Sequence, residues 1–336
     1  MAREGAQAVV AVSRVCSLPL DATTYQRHAL HAEDLVWVEK NCYVDVWIEL
    51  IHALGCEPLA MLPFVAAIDF ERDQWTFFKP KHDELFDLYG IDVQELNLWR
   101  SLADHVQVHV GDGKMVAVEA DAFFLPDTAG TDYQHQHTKT TIIISDFDLE
   151  RRRLGYFHNA GYHALEGADF DKLFRTGLPP DPTFMPFYAE VVRVDRLVKR
   201  SPEELRAMSR TLLQKHLARR PARNPVARFG ESIASDLTRL QGEGLPVYHA
   251  WAFATIRQLG AAMELLSLHL SWRGDAPARE AAAELAKVSQ SAKALILKGA
   301  RAVNAKRALD AHSWTAMFEE MSAAWQRGME LLANAS

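Results

Sequence analysis

Asn41-Cys42-Tyr43-Val44-Asp45-Val46-Trp47-Ile48-Glu49-Leu50-Ile51-His52-Ala53-Leu54-Gly55 reads as one helix of roughly four turns. Asn41 suits the N-cap, because its side-chain oxygen can accept an orphan backbone N–H. Trp47, Ile48, Ile51 and Leu54 recur at helical spacing, and Gly55 fits the left-handed position just past the end. The helix is therefore expected to bury one face. Its first residue is a thiol, Cys42, at the end where the dipole favours a thiolate. A nucleophile would be placed there, although a small buried thiol is also ordinary core material.

The rest of the chain sets bounds on that reading. With 336 residues, two domains are expected. A net charge of −7 argues against a nucleic-acid partner. The three cysteines, Cys16, Cys42 and Cys56, are too few for a disulfide framework and suit a reducing cytoplasm. Residues 1–15 make a poor signal peptide, and no apolar run is long enough to predict a membrane span.

Downstream of the Cys42 helix, Pro58–Val65 is read as a buried crossing segment and Ile68–Phe78 as a strand. Lys81–Tyr89 is read as a helix closed by Gly90, and Asp92–Asp104 as another helix. Val106–Val110 alternates and meets Gly111-Asp112-Gly113, a hairpin signal. Met115–Phe124, Thr138–Asp146 and Arg152–His158 complete the strands. From Ser201 onward the pattern is helical throughout, with a long central helix over Pro246–Trp272. The expected architecture is α+β: a catalytic domain over 1–199 and a helical bundle over 200–336.

A nucleophilic cysteine needs a base and an orienting partner. His137 immediately precedes the strongest strand, and the next strand returns to deliver Asn159 at the same end. The order Cys42, His137, Asn159 is that of papain-like enzymes. His135 competes as base, and His158 competes as orienter. Asp121 and Asp127 flank the strand end, Asp121 as a substrate contact and Asp127 as a turn residue. Asn41 and the Cys42 N–H are candidate oxyanion donors. His135, His137 and His158 also form a conceivable metal set, but zinc-finger spacing and H-E-x-x-H are absent. Neither a bound cofactor nor a metal is expected. Arg219, Arg220, Arg223 and Arg228 form a basic cluster able to dock an acidic partner.

Asn41-Cys42-Tyr43-x-Asp45, Asp121-x-Phe-x-Leu-Pro-Asp-Thr128, His137-x-Lys-Thr-Thr-Ile142 and Leu154-Gly-Tyr-Phe-His-Asn-Ala-Gly-Tyr-x-Ala-Leu-Glu166 resemble a bacterial family of papain-like Cys/His/Asn type. Its members tend to sit beside small carrier proteins, amino acid:carrier-protein ligases and acyl-CoA-dehydrogenase-like proteins. The N-terminal half is more remotely similar to the acyltransferase of butirosin biosynthesis, which moves an aminoacyl group from a carrier-protein thioester to an amine. The resemblance implies a papain-like fold, with Cys42 as nucleophile, His137 as base and Asn159 as orienter. It also implies an acyl or peptidyl carrier protein as partner, bringing the substrate on a phosphopantetheine arm. The expected activity is acyl or aminoacyl transfer to a thiol or amine. A thioesterase or peptidase with the same residues, or a non-catalytic carrier-binding scaffold, are the alternatives.

Overall fold

The computed structural model describes residues 14–179, 181, 183–185, 187–305 and 311–334. In chain order they form β1 (Arg14–Cys16), α1 (Cys42–Ala53), β2 (Phe70–Glu71), β3 (Gln74–Trp75), α2 (His82–Tyr89), β4 (Asp92–Glu95), α3 (Leu102–Gly111), β5 (Met115–Asp121), β6 (Lys139–Asp148), β7 (Arg153–His158), β8 (Gly161–Glu166), α4 (Ala168–Phe174) and β9 (Ala189–Arg193). Six helices follow: α5 (Pro202–Leu217), α6 (Pro225–Glu243), α7 (Leu245–Ala254), α8 (Ile256–Arg273), α9 (Ala276–Ala305) and α10 (Ala311–Asn334). Short 3-10 turns include Pro58–Ala67. The chain is mixed α/β, with an antiparallel sheet in its N-terminal part and a helical C-terminal region. No described helix is long and apolar enough to cross a membrane.

Contacts divide the chain into two compact units that do not follow its order. One, the sheet unit, is Met1–Gln26 with Asp92–Arg196, and the other, the helical unit, is Arg27–Ile91 with Leu197–Ser336. The α1 segment therefore groups with the C-terminal helices, not with the sheet in one domain over 1–199 as expected.

In the sheet unit the strand order is β4-β9-β5-β6-β7-β8, with β1 also paired to β6. All the pairings are antiparallel. One face packs against α3 and α4, where Val106, Val110, Phe170 and Phe174 meet Val116, Ile142 and Tyr156. The strand expected over Val106–Val110 is instead part of α3. Ser101 caps that helix by accepting from Asp104 N at 3.2 Å. Leu102, Val106 and Val110 then fall on one helical face, so alternation and helical spacing coincide and the cap decides. Conversely, Asp92–Glu95 pairs with β9 as a strand instead of starting a helix.

Polar bonds tie residues 27–91 into the helical unit. Glu264 on α8 accepts from Val36 N at 2.9 Å and Trp37 N at 3.1 Å, and Trp37 Nε1 donates to Ser289 Oγ at 3.0 Å. Ser209 Oγ donates to Ala60 O at 2.9 Å, and Arg257 donates to Glu39 O at 2.9 Å. The long helix expected over 246–272 breaks at Thr255, where φ is −120° and ψ −79°. Trp37 approaches α8 so closely that a Cβ on Gly260 would lie 2.5 Å from Trp37 Cζ2 and 2.9 Å from Ala292 Cβ. Gly260→Ala is therefore expected to cost about 2 kcal/mol through overpacking. Urea unfolding followed by circular dichroism measures the cost, and an unchanged midpoint would refute the close contact.

Candidate functional site

The sheet unit carries an oriented histidine. Asp121 ends β5 and lies opposite Lys139, the first residue of β6. The ladder continues beyond it, with Ala122 N donating to Thr138 O at 2.9 Å. The segment before β6 is thereby laid over the end of β5, and His137 Nδ1 comes to 2.6 Å from Asp121 Oδ2. The ring stacks on Phe123 with centroids 4.3 Å apart and planes 12° apart. Asp121 is itself held by Phe123 N, which donates to Oδ1 at 3.0 Å. A carboxylate at Nδ1 keeps the proton there and leaves the Nε2 lone pair facing outward. The His137 side chain is 68% exposed and that of Asp121 34%. The imidazole is thus held in one orientation and remains open to solvent.

The other residues expected near it are placed differently. Asn159 occupies the β7–β8 turn with a left-handed φ of 45°. The β6–β7 register carries it to the level of Thr141, beyond the start of β6, and Asp121 takes the orienting role assigned to it. His135 is exposed in the preceding turn. Because β6 begins only at Lys139, His135 and His137 do not share a strand face. His158 is 1% exposed, with Nδ1 2.5 Å from Asp127 Oδ2 and Nε2 2.7 Å from Thr140 Oγ1. With both nitrogens engaged in the interior it is an anchor, not a substrate contact. Tyr156 Oη also donates to Asp127. Burial would raise the Asp127 carboxyl, but the hydrogen bond and charge of His158 hold it below the usual carboxylate range. Asp127 thus fastens the His137-bearing segment to β7, a stronger role than the turn expected of it. Among the described residues no group of three or more His, Cys, Asp or Glu side chains is placed to hold a metal ion.

Cys42 and Asn41 belong to the helical unit. Asn41 Oδ1 accepts from Tyr43 N at 3.1 Å and Val44 N at 2.9 Å, while its Nδ2 donates to Phe78 O at 3.0 Å. Asn41 is 5% exposed and its amide serves as cap and tether, so the oxyanion role considered for it is not where this side chain is spent. Cys42 is half-buried at the first helical position. At the far end α1 closes as expected: Gly55 has φ +70°, with Gly55 N donating to His52 O and Cys56 N to Ile51 O.

Sequence reading missed the cluster beneath this helix. Asp45 and Glu49, one turn apart on α1, both point at His31, which has no exposed surface. Asp45 Oδ1 lies 3.1 Å from His31 Nε2, Glu49 pairs with His31 Nδ1, and Asp45 Oδ2 accepts from Lys40 N at 2.7 Å. A neutral imidazole has one N–H, and two carboxylates ask for two. Burial alone would lower His31, but its hydrogen bonds to Asp45 and Glu49 hold it above its ordinary value. Lys40, also fully buried, is pushed down by burial and lies 3.9 Å from Glu264, which burial pushes up. The i, i+4 acids on an otherwise apolar helix were the available signal.

The basic cluster is partly committed inside the helical unit. Arg228 donates to Phe70 O at 2.7 Å and pairs with Asp69, bracing the β2–β3 hairpin, and Arg220 donates to Leu217 O at the end of α5. Arg228 is thereby spent within the unit. Arg219 is exposed, and Arg223 lies 3.5 Å from Glu231 on the surface.

Residues 26–194 match the DUF1839 N-terminal domain, and residues 202–334 match the DUF1839 C-terminal domain. The chain belongs to the DUF1839 family. No curated protein matches it. The first of these segments ends at residue 194 and the second begins at 202, while Arg27–Ile91, within the N-terminal segment, belongs to the helical unit.

The His31 cluster makes a pH-dependent contribution. A histidine raised on folding stabilises fully below its unfolded value of 6.5 and loses that contribution as pH rises through the folded value. His31→Gln should cost about 3 kcal/mol near pH 6.5, because it leaves two buried carboxylates unpaired. The gap to wild type should narrow at higher pH. Guanidinium unfolding of both proteins across that range checks the sign, and a gap that widens would contradict it.

Proposed function

We propose that the protein is a cysteine-dependent acyl or aminoacyl transferase acting on a phosphopantetheine thioester carried by a partner protein. The observation that carries this reading is the Asp121–His137 pair: a base with its Nδ1 fixed by a carboxylate and its Nε2 presented outward. A thiol at a helix N-terminus complements it, since that position favours the thiolate. The papain-like assignment, the carrier protein and a cytoplasmic setting rest on the motif resemblance and the cysteine usage described above.

In the proposed reaction the Cys42 thiolate attacks the thioester carbonyl. The new C–S bond forms as the pantetheine C–S bond breaks, and the released thiolate takes a proton from water. The exchange is nearly thermoneutral, so positioning does most of the catalytic work. An acceptor amine or thiol then attacks the acyl-enzyme, gives its proton to His137 Nε2 and expels the Cys42 thiolate. Asp121 stabilises the imidazolium as it forms, an electrostatic support that an asparagine does not provide. Arg219 and Arg223 are the members of the basic cluster exposed enough to meet an acidic carrier. The exposure of His137 also admits water, which favours hydrolysis as the second reading.

The test is intact mass after incubation with an aminoacyl carrier protein. Cys42→Ala should abolish the adduct. His137→Ala should slow turnover by about 100-fold or more, and Asp121→Asn should also slow it. His135→Ala and Asn159→Ala should leave the rate near wild type. An adduct that persists in Cys42→Ala ends the proposal. Product analysis with and without an added amine separates transfer from hydrolysis.

A further inference from the structure

An opening in the helical unit lies at the far end of α1 from Cys42, about 18 Å along a helix of 12 residues. It is a cavity of about 410 Å³ lined by Gly55, Cys56, Glu57, Lys199, Arg206 and Trp272, among others. That volume falls in the range of small-molecule sites. Its walls are fixed. Val198 N donates to Tyr89 O at 2.8 Å, and Arg200, also lining the cavity, donates to Leu88 O at 3.0 Å and Asp87 O at 2.9 Å. The Lys199 segment is thus pinned along the end of α2.

The opposite charges in this cavity nearly balance, but not every cationic donor is used. The C-terminal ends of α1, α2 and α8 supply Gly55, Tyr89 and Trp272 to the walls, and each carries a partial negative charge of about one half. Glu57 adds one negative charge, but its Oε1 is occupied by Leu59 N at 3.0 Å. Three cations, Lys199, Arg200 and Arg206, face these groups. Arg200 is spent on the end of α2. Arg206 uses only Nε, which donates to Trp272 O at 3.3 Å while its guanidinium lies 5.3 Å from the Trp272 ring centroid. Lys199 has neither a hydrogen bond nor an ion pair among the described residues, and its Nζ sits 3.1 Å from where a Cβ on Gly55 would be. The spare donors are therefore an ammonium and the outer nitrogens of a guanidinium, beside an indole and Leu205.

We propose that this cavity binds a small organic anion, with its carboxylate or phosphate on Lys199 and Arg206 and its apolar body against Trp272 and Leu205. Guanidinium and ammonium donors bind either anion through charge-assisted hydrogen bonds, and the aromatic wall favours an anion with an apolar part over a bare ion. The inference is independent of the chemistry proposed for Cys42. Cys56, which lines the cavity and whose thiol is pushed up by burial, reports on occupancy. Cys16, in the sheet unit, serves as an internal control.

The full chain is titrated by calorimetry with phenyl phosphate, benzoate, inorganic phosphate and neutral benzyl alcohol. Alkylation of Cys56 and Cys16 by iodoacetamide is followed in parallel by peptide mass. Phenyl phosphate or benzoate should bind once per chain, more tightly than inorganic phosphate, and slow the alkylation of Cys56 but not of Cys16. Whichever of the two binds tighter identifies the anionic group. Lys199→Met and Arg206→Gln should each weaken binding by about tenfold. Arg219→Met should not change it, and thermal melting confirms that each variant folds. Binding unaffected by Lys199→Met, equal binding of benzyl alcohol, no saturable binding, or no protection of Cys56 would each overturn the proposal.

Discussion

A histidine without access to water, held between two carboxylates, is the constraint on which the helical unit depends. His31 sits against Asp45 and Glu49 on successive turns of α1, and Asp45 also takes Lys40 N. Through this cluster the extended segment before α1 is locked to the helix that follows it. Lys40 and Glu264 pass the restraint on to α8, where Glu264 holds the backbone of Val36 and Trp37. Buried charges of this kind are expensive to desolvate, and losing one partner costs far more than the pair contributes. The arrangement therefore permits one register between the segment and the helix, and the backbone bearing Cys42 inherits that register.

The sheet unit solves the corresponding problem with hydrogen-bond register. Antiparallel pairing of β5 with β6 sets Asp121 opposite Lys139 and brings His137 over the strand end. A second pair, Asp127 with His158, fastens the intervening segment from within. The two Asp–His pairs use the same chemistry for opposite ends. The exposed one keeps a nitrogen available, whereas the buried one has both nitrogens engaged and serves as an anchor.

Much of this was legible in the residues. The Asn41 cap, the Gly55 terminus, the strands around β6 and β7 and the helical character beyond Ser201 all follow from local rules, since each depends on neighbours within about four residues or on strand alternation. His137 does stand in the segment just before β6, as the residue pattern indicates. Asn159, the expected orienter, is nearer in hairpin order, but Asp121 lies across the ladder from the first residue of β6 and it is Asp121 that contacts the His137 ring. Val106–Val110 misled because its spacing satisfies both periods and only the Ser101 cap separates them.

By itself, then, the sequence determined where α1 starts and stops, which thiol stands at its first position, and that the chain beyond Ser201 is helical. These are short-range consequences of capping, periodicity and turn chemistry. Tertiary structure decided what those rules do not reach: that Arg27–Ile91 joins the C-terminal helices, that Asp45 and Glu49 close on His31, that Arg228 is spent on a hairpin, and that Asp121 orients His137. Each of these joins side chains distant in sequence or depends on which of two packings buries charge with its partner. Such contacts are set by the whole fold, and even the i, i+4 spacing of Asp45 and Glu49 does not name the partner they close on.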